Sequence, residues 1–312
     1  MSKLDISQFT LETYPCPICG EENYTRLYLI QDFQVVRCSA CSMTFVNPRI
    51  KSEQIFDVYR HEYFDRRQDG YNGYESIADL RIQTFEKWYK DIAPYFIADW
   101  IPEDLPKIFH TKTSHKRLAL DIGCAAGYFL DILQANHWQS EGIELDRRMY
   151  ALLIEKGYDV SNEPLEHFTS SHQYNLITMF DVIEHLPELQ KDFAKISSLL
   201  LPKGLLALST PNIDSFQHRL FRSRWFQFKP IEHLYYFSPT TLTQLGDDHG
   251  LHVEFMQKSG QYSNIPFIVD RLKHYGFANL AKLFIFLVKL LRLENLNWYA
   301  DTGSIFVVFR KI

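Results

Sequence analysis

From residue 117 onward, continuous apolar runs alternate with segments whose apolar residues stand three or four positions apart. The continuous runs predict strands buried on both faces, and the spaced segments predict the helices between them. This alternation is typical of a parallel sheet with helices on both sides. The predicted strands are RLALDIG, SEGIELD, YNLITMFDV, GLLALSTPN, VEFMQK and GSIFVVFRK, and the predicted helices are GYFLDILQANH, RRMYALLIEKG and PELQKDFAKISSLL.

The first predicted strand ends on an acid, and a turn of small residues follows it. Asp121 precedes Gly123, Ala125 and Gly127. Larger side chains would hold a ligand away from this backbone, and the free N–H groups of the next helix favour a polar or negative ligand group. Glu144 ends the following strand 23 positions later (144 − 121), near the roughly 20 residues at which a dinucleotide-binding unit places its ribose-binding acid. A dinucleotide and S-adenosylmethionine both fit this pattern.

Four motifs occur in order between Lys116 and Ser209: LALDIGCAAG, GIELD, YNLITMFDVIEHL and LLPKGLLALSTPN. They resemble the strand-end motifs of class I S-adenosylmethionine-dependent methyltransferases, in which an acid precedes G-x-G-x-G; here Ala125 replaces the middle glycine. The resemblance implies an α/β fold with a Rossmann-like sheet, mostly parallel with its last strand antiparallel. A nicotinamide-dependent enzyme is disfavoured, because G-x-G-x-x-G is absent and DVIEH belongs to methyl transfer.

The same resemblance implies roles for individual residues toward S-adenosylmethionine, whose product is S-adenosylhomocysteine. Asp121, Gly123 and Gly127 border the methionine moiety, and Glu144 binds the ribose. Asp181 borders the sulfonium side, and Glu184 completes the DVIEH pattern. The full candidate cofactor-binding set is Asp121, Gly123, Cys124, Gly127, Glu144, Leu145, Glu163, Leu165, Phe180, Asp181, His185, Tyr63 and Tyr74. Within it, Glu163 or Leu165 flanks the adenine. We interpret Cys124 as a small packing residue of the loop rather than as a nucleophile.

Four of the five cysteines form two C-x-x-C pairs near the N-terminus, which indicates a metal site in a reducing compartment. Cys16 and Cys19 precede Cys38 and Cys41, with 18 residues between the pairs (38 − 19 − 1), and this spacing predicts a four-thiolate zinc ribbon over residues 1–46. Four thiolates close the coordination sphere, so the predicted Zn²⁺ is structural. A redox-active C-x-x-C is the alternative, but it needs only one pair.

The remaining sequence divides into two predicted parts. Residues 47–115 form a helical, tyrosine-rich cap or connector, and residues 116–312 form the methyltransferase domain, with cap inserts at about 212–238 and 261–302. The connector tyrosines either close over the cofactor and substrate or pack as the apolar side of the cap. They are Tyr59, Tyr63, Tyr71 and Tyr74, of which we select Tyr63 and Tyr74 as candidate site residues.

A methyltransferase must align the acceptor with the methyl group and often removes one proton from the acceptor. The segment KPIEHLYYFSPTTL places Glu232 beside His233, and a histidine next to a carboxylate titrates near neutral pH. Glu232 and His233 are therefore the candidate catalytic residues. The alternative is a histidine that anchors the loop before a helix whose N-cap is Ser238, followed by Pro239.

The zinc-binding segment, the connector, the core and the EH…FS segment together are similar to sugar C-methyltransferases and their shorter relatives. In those enzymes an E-H pair helps to deprotonate a keto-sugar, and Glu232 and His233 match that pair. Two features differ: the large carboxyl-terminal domain is missing, and Pro230 stands where a tyrosine is often found. The resemblance implies a small-molecule acceptor, a nucleotide-linked or lipid-linked saccharide, and it leaves the methylated atom open.

Two late segments, Phe216–Lys229 and Leu280–Leu293, combine bulky apolar residues with basic ones. Basic side chains beside aromatic rings suit the phosphates of a nucleotide-sugar or a lipid-linked glycan. The same segments also suit the surface of an anionic bilayer. We favour a cap over the pocket, because an apolar helix in a soluble domain normally packs against a partner.

Charge and targeting signals limit the partners and the competing functions. The formal net charge of −5 gives no overall attraction for nucleic acid, which disfavours a zinc-ribbon RNA methyltransferase. The N-terminus lacks a signal-peptide pattern, and no window of the sequence is apolar enough to span a bilayer. We therefore expect a cytoplasmic protein, with peripheral contact to the inner membrane face as an option. We expect it to be a monomer or a homodimer. Quinone or lipid O-methylation remains an alternative. A non-catalytic scaffold is disfavoured, because the residues expected to bind the cofactor, Asp121, Gly123, Gly127 and Glu144, are all present.

Overall fold

The computed structural model describes residues 9–55, 77–96, 117–291 and 296–312. Short antiparallel strands fill its N-terminal part. They are β1 (Leu11–Glu12), β2 (Tyr24–Ile30), β3 (Phe33–Cys38), β4 (Thr44–Val46) and β5 (Arg49–Ile50). Strands β2, β3 and β4 pair in chain order, and β1 pairs with β5. The β-rich YTRLYLI segment of the sequence is β2.

Helices and strands alternate through the rest of the described chain. In order they are α1 (Ala78–Ile92), β6 (Leu118–Ile122), α2 (Tyr128–Ala135), β7 (Gln139–Ile143), α3 (Arg147–Glu155), β8 (Asp159–Ser161), β9 (Tyr174–Phe180), α4 (Leu189–Leu199), β10 (Leu200–Pro211), α5 (Phe216–Phe221), β11 (Tyr235–Tyr236), α6 (Pro239–Asp247), β12 (Leu251–Ser263), α7 (Ile265–His274), α8 (Ala278–Leu290) and β13 (Trp298–Lys311). Short 3₁₀ turns cover Ala93–Tyr95, Ile183–His185 and Arg222–Arg224.

Seven of these strands form the central sheet, in the order β12-β13-β10-β9-β6-β7-β8. Neighbours from β10 to β8 are parallel, whereas β13 runs antiparallel to both β10 and β12. The predicted fold class is therefore confirmed. The chain leaves β6 toward β7 and β8 and then returns to β9 on the other side of β6, and such a reversal creates a ligand crevice at the carboxyl ends of the strands.

Helix α1 covers one face of the sheet beside that crevice. Its buried residues include Phe85, Trp88 and Ile92, spaced three and four positions apart as an amphipathic helix requires. The Trp88 ring lies 4.8 Å from Phe180 and 5.6 Å from Phe306, between centroids. Burial of side chains of this size stabilises the fold by about 1.5–3 kcal/mol each.

The N-terminal sheet is joined to the later part of the chain by β11. Tyr235 pairs with Phe45, so β11 becomes the fourth strand of the β2-β3-β4 sheet. Arg49, which is 5% exposed, donates hydrogen bonds of 2.7 Å to the Tyr235 hydroxyl and to the Pro187 carbonyl. Its guanidinium also lies 4.1 Å from the centroid of the Tyr14 ring. The position of β11 is thus tied to the N-terminal module.

The late insert is a helical hairpin, α7 and α8, between the last two strands. Ser263 of β12 pairs with Trp298 of β13, so both strands continue into the segment predicted as an insert at about 261–302. The hairpin proper is therefore shorter than predicted, because strand pairing extends the sheet at both ends. None of the helices in the described part of the chain has the length and apolarity that crossing a bilayer requires.

Candidate active site

The loop after β6 has a backbone conformation that few residues adopt. Gly123, Ala125 and Gly127 have φ angles of 75°, 49° and 83°. A Cβ atom on Gly127 would lie 2.6 Å from Leu153 Cδ2, and one on Gly123 would lie 2.5 Å from Val182 Cγ2. The glycines are thus required by conformation and by close packing within the protein, in addition to the ligand approach that the sequence suggested.

Cys124 packs beneath this loop. It is 5% exposed, and a Cβ atom on Gly142 of β7 would lie 2.7 Å from its Sγ. Burial raises the pKa of the Cys124 thiol well above its usual value, and the nearby carboxylates of Glu144 and Asp121 raise it further. A neutral buried thiol supports the interpretation of Cys124 as a packing residue.

Glu144 joins the end of β7 to the loop. It is 8% exposed, and its Oε2 and Oε1 accept hydrogen bonds of 2.7 Å from the backbone N–H groups of Ala125 and Asp146. Burial raises the pKa of the Glu144 carboxyl to about 7, although these hydrogen bonds oppose the rise. Asn162, which the motifs did not indicate, donates from Nδ2 to the Glu144 carbonyl at 2.6 Å. The sequence does not indicate it, because it follows β8, a strand that is not among the predicted ones.

Asp121 lies at the end of the adjacent strand, β6. It is 3% exposed, and the Thr178 hydroxyl of β9 donates to its Oδ1 at 2.6 Å. Burial raises the pKa of Asp121 to about 7, the Thr178 hydrogen bond opposes this rise, and the charge of Glu144 adds to it. The two acids that the sequence assigned to the cofactor therefore influence each other in one buried region.

Three further candidates follow β7 and β8 along the same edge of the sheet. Leu145 is half-buried, Glu163 is exposed and Leu165 is buried in the core. Glu163 lines a surface groove together with Gly142 and Val160. The Glu163 side chain is thus accessible at this edge, whereas the Leu165 side chain is in the core.

Phe180 and Asp181 stand at the end of β9 with different surroundings. The Phe180 ring stacks on Phe85 of α1 at 5.6 Å between centroids, so it belongs to the aromatic cluster under that helix. Asp181 has a φ of 58° and its Oδ1 accepts from the Ser209 hydroxyl at 3.0 Å. Arg81, which the sequence did not indicate, places Nη1 4.0 Å from Asp181 Oδ2.

The structure brings the two Glu-His pairs together beyond β9 and β10. The 3₁₀ turn Ile183–His185 carries one pair, and Leu234 N donates to the Glu184 carbonyl at 2.8 Å. His185 Nδ1 donates to the Glu232 carbonyl at 2.8 Å. The rings of His185 and His233 are 4.8 Å apart and nearly perpendicular, at 83°. His233 is 3% exposed.

Glu184 is the most deeply buried acid of this group, at 0% exposed. Its Oε2 accepts from the Thr210 hydroxyl at 2.9 Å, while its Oε1 has no hydrogen-bond partner among the described residues. Burial, followed by the charge of Asp181, raises the pKa of Glu184 to about 8. The surroundings of Glu184 therefore favour its protonated form. The DVIEH pattern marked its position, but not its burial.

A sequence model of a family described as "Methyltransferase domain" matches residues 89–254, which is more than half of the chain. The chain belongs to this methyltransferase family. With this fold and this family, the protein is an S-adenosylmethionine-dependent methyltransferase.

Two relatives of this methyltransferase are ubiquinone biosynthesis O-methyltransferases. The one from Aeromonas salmonicida (strain A449) is 25% identical over 174 residues, which cover 51% of this chain and 70% of the relative. The one from Aromatoleum aromaticum (strain DSM 19018 / LMG 30748 / EbN1) is 28% identical over 110 residues, covering 33% and 47%. The match thus spans less than half of the second relative's length.

A solved structure shares the fold of this methyltransferase. It is the magnesium protoporphyrin IX methyltransferase from Synechocystis PCC 6803 with bound SAH, at a TM-score of 0.51 and 13% identity, covering 83% of this chain and 99% of that one. At this identity the likeness concerns the fold alone.

The four N-terminal cysteines of the methyltransferase lie close enough together to share one metal ion. Their Sγ atoms all lie within 4.8 Å of one another, and the Cys16–Cys41 and Cys19–Cys38 pairs are 3.4 and 3.5 Å apart. Zinc–sulfur distances of about 2.3 Å in a tetrahedron place sulfur atoms about 3.8 Å apart, so the residues fit this metal.

Both C-x-x-C turns have the same backbone. Gly20 N donates to the Cys16 carbonyl at 2.9 Å and Ser42 N to the Cys38 carbonyl at 3.2 Å. Gly20 and Ser42 both have positive φ angles, 72° and 63°. Two equivalent turns that face each other are what a shared tetrahedral ion requires.

Glu184, His185 and His233 form a second group whose ligand atoms lie within 4.8 Å. Two imidazoles and a carboxylate are also a ligand set for divalent metals. Charges of both signs influence this group, because Asp181 raises the pKa of Glu184 and Lys229 lowers it. Two imidazoles beside a carboxyl group also suit proton transfer.

Two of the predicted site residues, Tyr63 and Tyr74, lie outside the described residues, as do Tyr59 and Tyr71. The predicted helix start after the second Glu-His pair is confirmed: the Ser238 hydroxyl accepts from the backbone N–H of Thr241 at 3.2 Å, and Pro239 is the first residue of α6.

Proposed function

We propose that this methyltransferase methylates a saccharide, with His233 as the base that removes the acceptor proton. One observation carries this proposal: Glu184–His185 and Glu232–His233, separated by more than 40 residues in the sequence, meet beyond the carboxyl ends of β9 and β10. In a sheet of this topology the ligands lie at that edge.

The cofactor pocket would be formed by the loop after β6 and by Asp121 and Glu144. Both carboxyl groups are buried with raised pKa values, so cationic or O–H donor groups of a ligand would favour their ionised forms. Asp121 would face the amino group of the methionine moiety, and Glu144 the ribose hydroxyls. Bound S-adenosylmethionine supplies a methyl group on a positively charged sulfur, which is already activated for transfer.

The histidine pair gives the acceptor side a base with a defined orientation. His185 Nδ1–H is held by the Glu232 carbonyl, which fixes the ring of His185 against that of His233. His233 then takes the proton of an acceptor O–H or acidic C–H group. An oxygen of the Glu184 carboxyl group, within 4.8 Å of the histidine nitrogens, would then accept a hydrogen bond from the imidazolium and stabilise it, with no further proton moved.

A saccharide suits the side chains that surround this base. Lys229 pairs with Glu232, the residue before His233, at 3.9 Å, and Arg81 pairs with Asp181 at the end of β9. A polyhydroxylated acceptor offers hydrogen-bonding partners for such charged groups. The similarity to sugar C-methyltransferases supports the same class. A phenolic quinone precursor is the second candidate, because two relatives are named ubiquinone biosynthesis O-methyltransferases.

The test is methyl uptake from labelled S-adenosylmethionine by nucleotide-linked saccharides, lipid-linked saccharides and a phenolic quinone precursor. We expect methylation of a saccharide, and a His233→Ala variant should lose about 10²- to 10⁴-fold in turnover, the usual contribution of a general base. Its affinity for S-adenosylhomocysteine should stay within about twofold of the wild type, because His233 lies on the acceptor side. His252→Ala, which alters an exposed histidine, is the matched control.

Two outcomes would contradict the proposal. Unchanged turnover of His233→Ala excludes this residue as the base. Methylation of the phenolic acceptor alone assigns the enzyme to the second candidate function.

We also propose that residues 1–46 are a zinc ribbon with a structural Zn²⁺ on Cys16, Cys19, Cys38 and Cys41. The sulfur distances and the two equivalent turns support it. Through the pairing of β4 with β11, the ribbon would hold the segment that carries His233 in place. The zinc would thereby contribute to activity without contacting a substrate.

A further inference from the structure

The described residues expose fourteen large hydrophobic side chains, and ten of them lie between Phe216 and Leu296. Six of the ten are on one side of α8 and at its end. We call this set the apolar face; it consists of Leu280, Leu283, Phe286, Leu287, Leu290 and Leu291, each between 43% and 65% exposed.

Helix α8 already uses its opposite side for packing. Ala281 and Val288 are buried against Ile265 and Val269 of α7. The helix therefore has apolar side chains on two opposite sides, whereas an amphipathic helix of a globular protein buries only one. Within the described part of the chain, the apolar face is not covered.

The charged residues that the structure describes along α8 are all positive. From Leu272 to Leu291 the sequence has no Asp or Glu, and it has the exposed lysines Lys273, Lys282 and Lys289. Lys282 and Lys289 are seven residues apart, about two helical turns, so both lie along the same flank of α8. This local charge is opposite in sign to the chain's net charge of −5.

The earlier insert extends this surface. The Phe221 ring stacks on Tyr275 at 3.6 Å and 7°, so α5 lies against the connection between α7 and α8. Phe216 and Leu220 are 69% and 59% exposed there. The segment Phe216–Lys229 has no acidic residue, and its exposed basic residues are Arg219, Arg222 and Arg224.

We propose that the apolar face of α8 is a peripheral binding surface for an anionic lipid bilayer. Leucine and phenylalanine side chains would enter the boundary between headgroups and acyl chains, while the lysines and arginines would pair with lipid phosphates. A second copy of the chain fits less well, because opposing two such faces would bring the lysines of the two α8 helices together. The surface does not depend on the identity of the acceptor.

The surface is also connected to the proposed base. The segment that contains the exposed arginines continues at Lys229 into the turn of Glu232 and His233, whose backbone N–H groups donate to the Lys229 carbonyl at 2.8 and 2.7 Å. A bound membrane would therefore lie against a segment that leads directly to the acceptor side of the active site.

The test is flotation of the full chain with vesicles of phosphatidylglycerol and phosphatidylcholine, compared with vesicles of phosphatidylcholine alone. We expect binding to the anionic vesicles, and at least about tenfold weaker binding for the double variant Leu283→Asp/Leu290→Asp, because charged residues oppose insertion into the interface. Leu29→Asp is the matched control, since Leu29 is 60% exposed on β2, outside this surface. S-adenosylhomocysteine affinity shows that each variant is folded.

Three results would overturn the inference. The first is that the wild-type chain does not bind the anionic vesicles. The second is that the double variant floats as well as the wild type. The third is that both vesicle types bind the chain equally. Sedimentation velocity provides a further check: a dimer that the double substitution dissociates, without flotation, assigns the apolar face to a second copy.

Discussion

Replacing Glu144 by glutamine should remove a large part of the pH dependence of nucleotide binding. Both oxygens of Glu144 accept backbone hydrogen bonds of 2.7 Å, and burial raises the pKa of its carboxyl to about 7. Ribose hydroxyls donate more strongly to a carboxylate than to a carboxylic acid. The affinity of the wild-type protein should therefore increase as the pH rises through 7.

The size of this increase follows from the pKa. With a pKa of about 7, the ionised fraction rises from about 1/11 at pH 6 to about 10/11 at pH 8, which corresponds to about tenfold in affinity or about 1.4 kcal/mol. Asp121, whose pKa is also about 7, contributes a similar factor for the amino group. The wild-type protein should thus gain up to about a hundredfold, and Glu144→Gln only about tenfold.

Glutamine should also weaken binding at every pH. Its amide NH₂ would replace one oxygen that now accepts from Ala125 or Asp146, and an unsatisfied buried N–H group costs about 1–3 kcal/mol. Part of that cost falls on the folded protein itself, so urea unfolding must accompany the binding measurements.

The assay is isothermal titration of S-adenosylhomocysteine from pH 6 to pH 8 for the wild type, Glu144→Gln and the control Glu155→Gln, which alters an exposed residue at the end of α3. Ionisation of the ligand is common to all three and cancels in the comparison. Equal pH slopes for the wild type and Glu144→Gln would refute the role assigned to Glu144.

The same raised pKa has a consequence for the protein without ligand. Because the folded pKa of Glu144 lies above its ordinary value of 4.5, its contribution to stability is fully present below about pH 4.5 and is lost as the pH rises through about 7. The wild-type protein should therefore lose more stability than Glu144→Gln between pH 5 and pH 8.

Two further perturbations test the loop and the ribbon. Gly127→Ala should lower the free energy of unfolding more than Gly157→Ala. Both positions have positive φ (83° and 81°), but only at Gly127 would the new Cβ meet another side chain, Leu153 Cδ2 at 2.6 Å. We expect a loss of about 1–2 kcal/mol from φ alone and a larger loss at Gly127, and equal losses in urea unfolding would contradict the packing argument. Elemental analysis of freshly purified protein should find zinc. The Cys41→Ser variant should lose the zinc and unfold at a lower temperature, whereas the control Cys124→Ser should keep it. A wild-type protein without metal would refute the zinc ribbon.

Local sequence patterns were sufficient for much of the fold and for one side of the site. Strand and helix periodicities are set by residues only a few positions apart, so β6, β7, β9 and β10 could be predicted with their order and direction. Asp121 and Glu144 could be assigned because each directly follows or ends such a strand, and parallel strands end at the same edge of the sheet. The paired cysteine spacing reflects the short turn that a zinc site requires.

The acceptor side depended on contacts between distant parts of the chain. The sequence separately marked His185 and His233, but only the turn at Ile183–His185 and the hydrogen bond from His185 to the Glu232 carbonyl bring the two rings to 4.8 Å. Likewise, β11 joins a sheet whose other strands lie almost 200 residues earlier. No local periodicity encodes such pairings.

The sequence by itself therefore determined the class of sheet, because strand and helix periodicities are properties of short segments. For the same reason it could predict where a nucleotide and a metal ion would bind. Tertiary structure decided which acid is buried at the acceptor side, and it showed that the outer face of α8 is exposed although the sequence favoured a cap. Both depend on what covers a side chain, which is settled by packing between elements that are far apart in the chain.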